Sequence, residues 1–196
     1  MYRIHRVDQP EQHRAIRRFW YRVYCEERGV LRHKADTAIR ELDDPMAHTG
    51  NLFAATDDAG EVIGTVMSSY ARDTPLGSYA DFYELDRLLA LQDGVAVVTK
   101  LMTAAHQRGT GLAIALLQTV TRQGLEDGIT HALYDANPPT DVLFRRMGGV
   151  DWLGMKHHHE FGHVRVMMTR LRDDAARLSS PGHPLSDCYR DLPHPA

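Results

Sequence analysis

The chain has 196 residues, of which 43% are hydrophobic and 25% charged, and its formal net charge is −3. This composition is typical of a globular domain with a substantial core, and it excludes a disordered chain and a global basic field for nucleic acid. The two cysteines, Cys25 and Cys188, lie far apart, and there is no apolar run of membrane-spanning length. We therefore expect a cytoplasmic protein without a disulfide framework, signal peptide or membrane anchor.

The predicted elements alternate between strands and helices. Strands are predicted from alternating or β-branched apolar runs at residues 2–7, 51–56, 61–70, 95–103, 131–135 and 164–168. Helices are predicted from helical apolar spacing and capping residues at residues 10–28, 82–91, 112–126 and 141–147. Residues 32–44 are polar and predicted to be irregular. From about Asp173 the chain becomes polar, and residues 179–196 are rich in Pro, Ser, His and Gly.

This order of elements predicts the α/β (α+β) class, with a single mixed, mostly antiparallel central sheet flanked by helices. The strand at 95–103 is followed by a helix and a further strand, which requires one parallel crossover. Ligands of such sheets bind at the carboxyl ends of strands. We expect one domain over residues 1–172 and a mobile polar tail over 173–196.

The most informative motif is Arg108-Gly109-Thr110-Gly111-Leu112-Ala113, which lies between a predicted buried strand and a predicted helix. Glycines let the backbone approach a ligand, and the first N–H groups of the helix lack intrahelical acceptors, so the motif predicts an anion site. It is neither a dinucleotide fingerprint, because Ile114 replaces the third glycine, nor a P-loop, because no Gly-Lys-Ser/Thr follows. The alternative is a glycine pair that only turns the chain.

The spacing Arg-x-x-Gly-x-Ala resembles the pyrophosphate-binding signature of the GCN5-related N-acyltransferase superfamily. The segment Leu143-Phe144-Arg145-Arg146-Met147-Gly148-Gly149 resembles the superfamily's later Tyr-x-x-x-Gly-Phe motif. Three further segments are similar to N-acyl amino acid synthases and acyl-homoserine-lactone synthases: Tyr21-Arg22-Val23-Tyr24 with Glu26-Glu27, Glu41-Leu42-Asp43-Asp44-Pro45, and Glu84-Leu85-Asp86-Arg87.

The resemblance implies an N-acyltransferase that moves an acyl group from a thioester to the amine of a small, amino-acid-like acceptor. The co-substrate is then acyl-CoA or the phosphopantetheine of an acyl carrier protein. The implied donor-binding residues are Leu101, Met102 and Thr103 beside the pantetheine arm, and Arg108, Gly109, Thr110, Gly111, Leu112 and Ala113 around the phosphates.

Carboxylates and arginines of the similar segments are the candidates for the acceptor side. Glu84 is the first candidate for the catalytic base, and Asp43 and Glu41 come next. Arg22 and Arg87, together with Glu41 and Asp43, are predicted to bind the acceptor. The alternative is structural: the charges tie the N-terminal helix to the sheet, and Glu84 pairs with Arg87 across one helical turn.

One departure from the family pattern and one unrelated motif keep rival functions open. Phe144 stands where many relatives have a tyrosine that protonates the departing thiolate, which leaves that role vacant and a non-catalytic thioester-binding module as an alternative. His159-Glu160-Phe161-Gly162-His163 matches the zinc metallopeptidase pattern His-Glu-x-x-His. However, Val164 begins a strand-like alternation directly after the motif, so its helix context is missing. We predict no metal, nucleic acid or membrane partner, and leave a homodimer open.

Overall fold

The computed structural model describes residues 1–73, 75–138 and 140–190, without the side chains of Leu89 and Gln92. Its centre is a seven-stranded sheet. The strands of this sheet are β1 (Tyr2–Arg6), β4 (Asn51–Asp57), β5 (Val62–Tyr70), β6 (Val95–Thr103), β7 (His131–Ala136), β8 (Val150–His158) and β9 (Gly162–Arg170). A separate two-stranded ribbon consists of β2 (Ala35–Asp36) and β3 (Glu41–Leu42).

The strand order in the central sheet is β1-β4-β5-β6-β7-β9-β8. Every neighbouring pair is antiparallel except β6 and β7, which are parallel. The parallel pair is the crossover that the sequence requires, because a helix connects the two strands. The predicted fold class, a mixed and mostly antiparallel sheet flanked by helices, is confirmed.

The α-helices of the described chain flank this sheet. They are α1 (Pro10–Trp20), α2 (Ser78–Phe82), α3 (Leu112–Glu126), α4 (Asp141–Arg146) and α5 (Ala175–Leu178). β5 is buried along its whole length, because α3 covers one face of the sheet with its apolar stripe and α1 also packs against this strand. None of the helices described is both long and apolar enough to cross a bilayer.

The first helix continues without a break into a π-helix, Tyr21–Glu27. Pro10, the first residue of α1, has a φ that suits a helix start, and Ile16, Phe19 and Trp20 form the buried face of α1. π-helical turns are rare and are often found at functional sites, because the wider turn redirects side chains.

Four segments differ from the sequence-based expectation. Residues 32–44, predicted to be irregular, contain a 3-10 turn and the ribbon of β2 and β3. β8 was not predicted, because it is an edge strand that buries only one of its residues, and so has little apolar alternation. The predicted helix at 82–91 is instead the end of α2 and a 3-10 segment, Leu85–Gly94, and Glu84 between them has a φ of +53°.

The predicted tail also differs, as far as it is described. Leu178, Leu185 and Cys188 are buried in the main core, and Gln118 of α3 donates a hydrogen bond to the carbonyl of Pro184. This segment therefore packs against the domain through its apolar residues, which are a weak signal within a polar sequence; its mobility stays a prediction. Residues 191–196 lie outside the described part, and the domain boundary at residue 172 stays a prediction.

Candidate active site

The two parallel strands of the sheet separate and open a cleft. The pairing between the two strands is short: Val95–Val97 of β6 pair with His131–Leu133 of β7. Beyond these residues the strands diverge, and a cleft of about 530 Å³ opens between their carboxyl ends, lined by both strands, the π-helix and the β8–β9 hairpin. This is the position at which α/β sheets bind ligands, because two loops leave the sheet in different directions there.

The glycine loop lies at one side of this cleft. Arg108 lines the cleft, and Gly109 and Gly111 have φ angles of +83° and +91°. A Cβ atom built on either glycine would meet nothing within 4 Å, so both face open space. No described side chain caps α3 at its N-cap, Gly111, and its first-turn N–H groups remain free for an anion.

Two polar bridges connect the N-terminal segment to the walls of the cleft. Glu27 forms an ion pair with Arg108 of the glycine loop. Arg28 donates a hydrogen bond to Asn137 Oδ1, at the end of β7, over 3.0 Å. Arg108 is therefore already paired with a carboxylate at the point where the sequence predicts a phosphate.

A bulge in β6 directs Lys100 away from the regular strand pattern. The register with β5 passes from Thr65↔Met102 to Met67↔Thr99, so β6 carries one extra residue opposite Val66. Lys100 has a φ of +56°, which is strained for a residue with a side chain.

Hydrogen bonds hold this strained conformation in place. Thr65 Oγ1 donates to the carbonyl of Lys100 over 2.8 Å, and Trp20 Nε1 donates to Thr65 Oγ1 over 3.0 Å. Because Trp20 and Thr65 are both fully buried, the chain of hydrogen bonds fixes the bulge from the core.

The Lys100 ammonium is a buried cation with one carboxylate partner. Its Nζ lies 2.7 Å from Asp44 Oδ2, and only 8% of its side chain is exposed. The ring centroids of Trp20 and Tyr24 are each 5.3 Å from Nζ. Burial alone would lower the pKa of Lys100, but Tyr24, Asp44 and Tyr79 together raise it above its usual value, so the group stays charged.

The opposite strand contributes a carboxylate. Asp135 on β7 lines the cleft, and its Oδ1 accepts a hydrogen bond from the hydroxyl of Tyr83 over 2.5 Å. Tyr83 is fully buried, and burial followed by the neighbouring Asp135 raises its pKa, so the phenol remains a donor. The aspartate is thereby held in one orientation with its second oxygen unengaged by any described side chain.

A second cavity, of about 370 Å³, adjoins the cleft. Tyr79, Lys100 and His158 line both spaces and form the junction between them. His158 Nδ1 accepts a hydrogen bond from the backbone N–H of Glu160, and burial foremost lowers the pKa of the imidazole. His158 is therefore neutral, which leaves Lys100 as the cation of the junction.

The predicted donor residues come together in the structure. Leu101, Met102 and Thr103 line the cleft with Arg108. Gly109, Thr110, Gly111, Leu112 and Ala113 follow as the loop and the first residues of α3. Their contact with a donor stays a prediction.

The predicted acceptor residues are not brought together. Asp43 lines the second cavity, whereas Arg22 lines a third cavity of about 540 Å³ and donates to the carbonyl of Val62. Glu41 is buried and accepts hydrogen bonds from Arg14 and Arg17 of α1. These contacts tie α1 to the two-stranded ribbon, because Glu41 lies on β3. The role of Glu41 in acceptor binding stays a prediction.

Glu84, the predicted base, lies at the surface. Its carboxylate is bonded to Arg87 over 3.0 Å and to Lys156 over 3.1 Å, and Arg87 lies over the ring of Trp152. The hydrogen bonds from Arg87 and Lys156 lower the pKa of Glu84. Among the described residues that line the cleft and the second cavity, Glu84 and Arg87 do not appear. Their catalytic and binding roles stay predictions.

Phe144 lines the cleft without a hydroxyl, as its sequence position indicates. Tyr134 stacks on it with ring centroids 4.2 Å apart, but the tyrosine hydroxyl is hydrogen-bonded to Thr169 over 2.6 Å and is buried. Tyr134 therefore points away from the cleft. Tyr24 lines the cleft from the π-helix, and burial raises its pKa, so its phenol is protonated.

The His-Glu-x-x-His motif lies in a β-hairpin rather than on a helix. His158 ends β8, His159 and Glu160 form the turn, and His163 is on β9 paired with His157. Glu160 forms an ion pair with Lys34. Histidines in this hairpin do not share one helix face as the peptidase chemistry requires. Within residues 1–73, 75–138 and 140–190 no group of three or more potential ligands could hold a metal ion.

Lys100 and Asp135 are charged residues of the cleft that sequence reasoning did not single out. Each carried a signal: Lys100 is the single charge inside an apolar strand, and Asp135 lies at the carboxyl end of the next one. Tyr24 was assigned to the core because of its helical spacing, and the structure confirms this; the same side chain also lines the cleft, which the spacing did not predict.

The comparisons with known proteins agree with this architecture. A family model described as the N-acyl amino acid synthase FeeM matches residues 15–172. The structure of FeeM, an N-acyl amino acid synthase from uncultured soil microbes, is 18% identical over 87% of this chain and 91% of that chain, with a TM-score of 0.65. No curated protein matches the chain.

Two further solved structures share the fold. A CoA-dependent acyl-homoserine lactone synthase, BjaI, is 15% identical over 96% of this chain and 88% of that chain, with a TM-score of 0.70. The aminoglycoside acetyltransferase AAC(6')-Ib, solved with coenzyme A, is 19% identical over 92% of this chain and 100% of that chain, with a TM-score of 0.64. The chain therefore belongs to the N-acyl amino acid synthase FeeM family, and it is an N-acyltransferase that moves an acyl group from a thioester donor to an amine.

Proposed function

We propose that the protein acylates the amine of a small, amino-acid-like acceptor, using acyl-CoA or acyl-phosphopantetheine on a carrier protein as donor, in the cleft between β6 and β7. The observation that supports this most is the glycine loop: uncapped N–H groups, two glycines that face open space and Arg108 lie beside a cleft of about 530 Å³. CoA-dependent relatives with the same fold support the donor class.

Donor binding would replace one ion pair by another. In the protein alone, Arg108 is paired with Glu27. A donor phosphate on the loop takes the place of the Glu27 carboxylate at Arg108, and the free N–H groups of α3 supply the remaining hydrogen bonds. The pantetheine arm then follows Leu101, Met102 and Thr103 along β6.

The chemical step needs three events. The acceptor ammonium loses one proton to solvent, and its nitrogen attacks the thioester carbonyl carbon to form the N–C bond. The C–S bond then breaks, the nitrogen gives up a second proton, and the departing thiolate of CoA or of the carrier protein takes up one proton to leave as a thiol. Charge develops on the carbonyl oxygen during the attack, and we expect a backbone N–H of the β6 bulge to stabilise it, because a bulge interrupts the regular strand ladder.

Thiol release tests this proposal directly. Acyl-CoA donors from acetyl to dodecanoyl, and the same acyl groups on a carrier protein, are incubated with amino acids and simple amines. We expect thiol release that depends on both donor and acceptor, and an N-acylated product by mass spectrometry. Donor binding without release for every combination would instead indicate the non-catalytic module.

A further inference from the structure

Lys100 and Asp135 are charged groups on the opposite walls of the cleft, and each retains unused hydrogen-bonding capacity. Other charges of the cleft are already bridged, since Glu27 pairs with Arg108 and Arg28 binds Asn137. An ammonium has three donors, and only Asp44 accepts from Lys100 among the described residues. A carboxylate accepts up to about four hydrogen bonds, and Tyr83 supplies one to Asp135.

Both groups are built to stay in place. Asp44 Oδ1 accepts the backbone N–H of Met46 over 2.9 Å, so the partner of Lys100 is fixed by the turn that it caps. The strained φ of Lys100 persists because Thr65 holds its carbonyl. Strain that the surrounding core imposes is typical of ligand-binding positions. A charge that served the fold alone would need neither the bulge nor exposure to two cavities.

We propose that Lys100 binds the carboxylate and Asp135 the ammonium of an amino-acid acceptor, so that these two residues determine acceptor specificity. This inference rests on the proposed acyl transfer and names the residues that select its acceptor. The acceptor amine has to reach the thioester in the cleft, and Asp135 stands there. Lys100 stands at the junction, between the amine and the second cavity.

The second cavity indicates the kind of acceptor side chain. Much of its lining is apolar: Leu31, Leu42, Met46, Leu76 and Phe82. Its volume of about 370 Å³ accommodates an apolar amino-acid side chain. Lys34 and Glu160, which also line the cavity, form an ion pair with each other, and Asp43 lies 3.9 Å from Arg17.

The test compares an acceptor that has a carboxylate with one that lacks it. Leucine and 3-methylbutylamine share side chain and amine, and differ only by the carboxylate. Thiol release from one acyl-CoA donor is measured for the wild type, Lys100→Met and Lys100→Arg. We expect the wild type to prefer leucine in kcat/KM by about 30-fold or more, the range of a charge-assisted hydrogen bond.

The variants separate recognition from folding. Lys100→Met should reduce the preference to within about 3-fold while 3-methylbutylamine remains a substrate, and Lys100→Arg should retain most of it. The double variant Asp44→Asn/Lys100→Met leaves no uncompensated buried charge and should behave as Lys100→Met does.

Two outcomes would overturn the inference. One is a wild type whose kcat/KM is the same for leucine and 3-methylbutylamine, and the other is Lys100 variants in which kcat/KM falls equally for both acceptors. Absence of thiol release with every acceptor would be a failure of the proposed acyl transfer itself, and is distinguishable from both.

Discussion

Two regions of the molecule contain a lysine bonded to a carboxylate at similar distance, and they differ in almost everything else. Lys100 and Asp44 are 2.7 Å apart with 8% and 13% of their side chains exposed, whereas Lys156 and Glu84 are 3.1 Å apart with 28% and 39% exposed. The first pair lies at the junction of two cavities, and the second lies on the surface.

The difference shows what residue type and spacing leave undetermined. Glu84 resembles a family motif in the sequence, but its carboxylate is engaged by two cations in a solvent-exposed position. An exposed ion pair contributes little free energy, because water competes for both charges. Lys100 itself matches no family motif, yet the bulge and the divergence of β6 and β7 place it in the cleft.

The largest expected effect comes from the glycine loop. Gly111→Glu places a side chain at a φ of +91° and a negative charge where a donor phosphate would bind. We expect donor affinity to fall about 100-fold or more, measured by calorimetry with CoA. Gly128→Glu is the matched control, since Gly128 at the other end of α3 has a φ of +83° and equally open surroundings. Equal binding by wild type and Gly111→Glu would remove the loop from the site.

The next two substitutions compare the carboxylate of Asp135 in the cleft with that of Glu84 at the surface. Asp135→Asn keeps the shape and the hydrogen bond from Tyr83 but removes the charge that faces the acceptor ammonium. We expect kcat/KM to fall about 30-fold for amines with and without a carboxylate, because both carry the ammonium.

The kcat of Glu84→Gln should stay within about 3-fold of the wild-type value, because the contacts of Glu84 are those of a surface ion pair. A large loss of kcat in Glu84→Gln, with Asp135→Asn unaffected, would restore the sequence-based assignment of the base.

A third effect concerns stability at the N-terminal helix. Burial would raise the pKa of Glu41, but hydrogen bonds from Arg14 and Arg17 prevail and lower it below 4.5. A lowered folded-state pKa means that the stabilisation is complete above pH 4.5 and is lost as the pH falls through the lowered value. Glu41→Gln should therefore lower Tm at pH 7 and have a smaller effect near pH 3 (thermal unfolding by circular dichroism). An identical decrease at both pH values would contradict this linkage.

The smallest expected effect is at the histidine hairpin. His163→Ala removes an exposed imidazole from β9 that is paired with His157 rather than set on a helix face. Acyl transfer should remain within about 2-fold of the wild type, since surface substitutions of this kind change little. Peptide cleavage by the wild type, lost in His163→Ala and in Glu160→Gln, would instead support the peptidase alternative.

The sequence predicts the parts of this molecule that depend on local pattern. The glycine loop, α3 and the parallel crossover follow from glycine spacing and apolar periodicity, and they are where the sequence places them. The junction could not be predicted in the same way. It is formed by Tyr79, Lys100 and His158, which come from three distant segments and meet only because the sheet opens beside the β8–β9 hairpin.

Local signals also mislead where tertiary contacts prevail. The apolar face of the first helix includes Tyr24, which is buried in the core as its spacing indicates, but helical spacing does not show that the π-helix also places this side chain on the cleft wall. Glu41 is buried and forms ion pairs with three arginines of α1, and the position of these charges along the chain does not predict this cluster.

The central claim is that the donor thioester reacts in the cleft between β6 and β7, beside Lys100 and Asp135. The most direct measurement is a crystal structure with a non-reactive thioether analogue of acyl-CoA. The account predicts density for the phosphates at Gly109–Ala113, for the pantetheine arm along β6, and for the sulfur beside the junction. Density for the analogue in the cavity of about 540 Å³ that Arg22 lines, with the cleft empty, would contradict it.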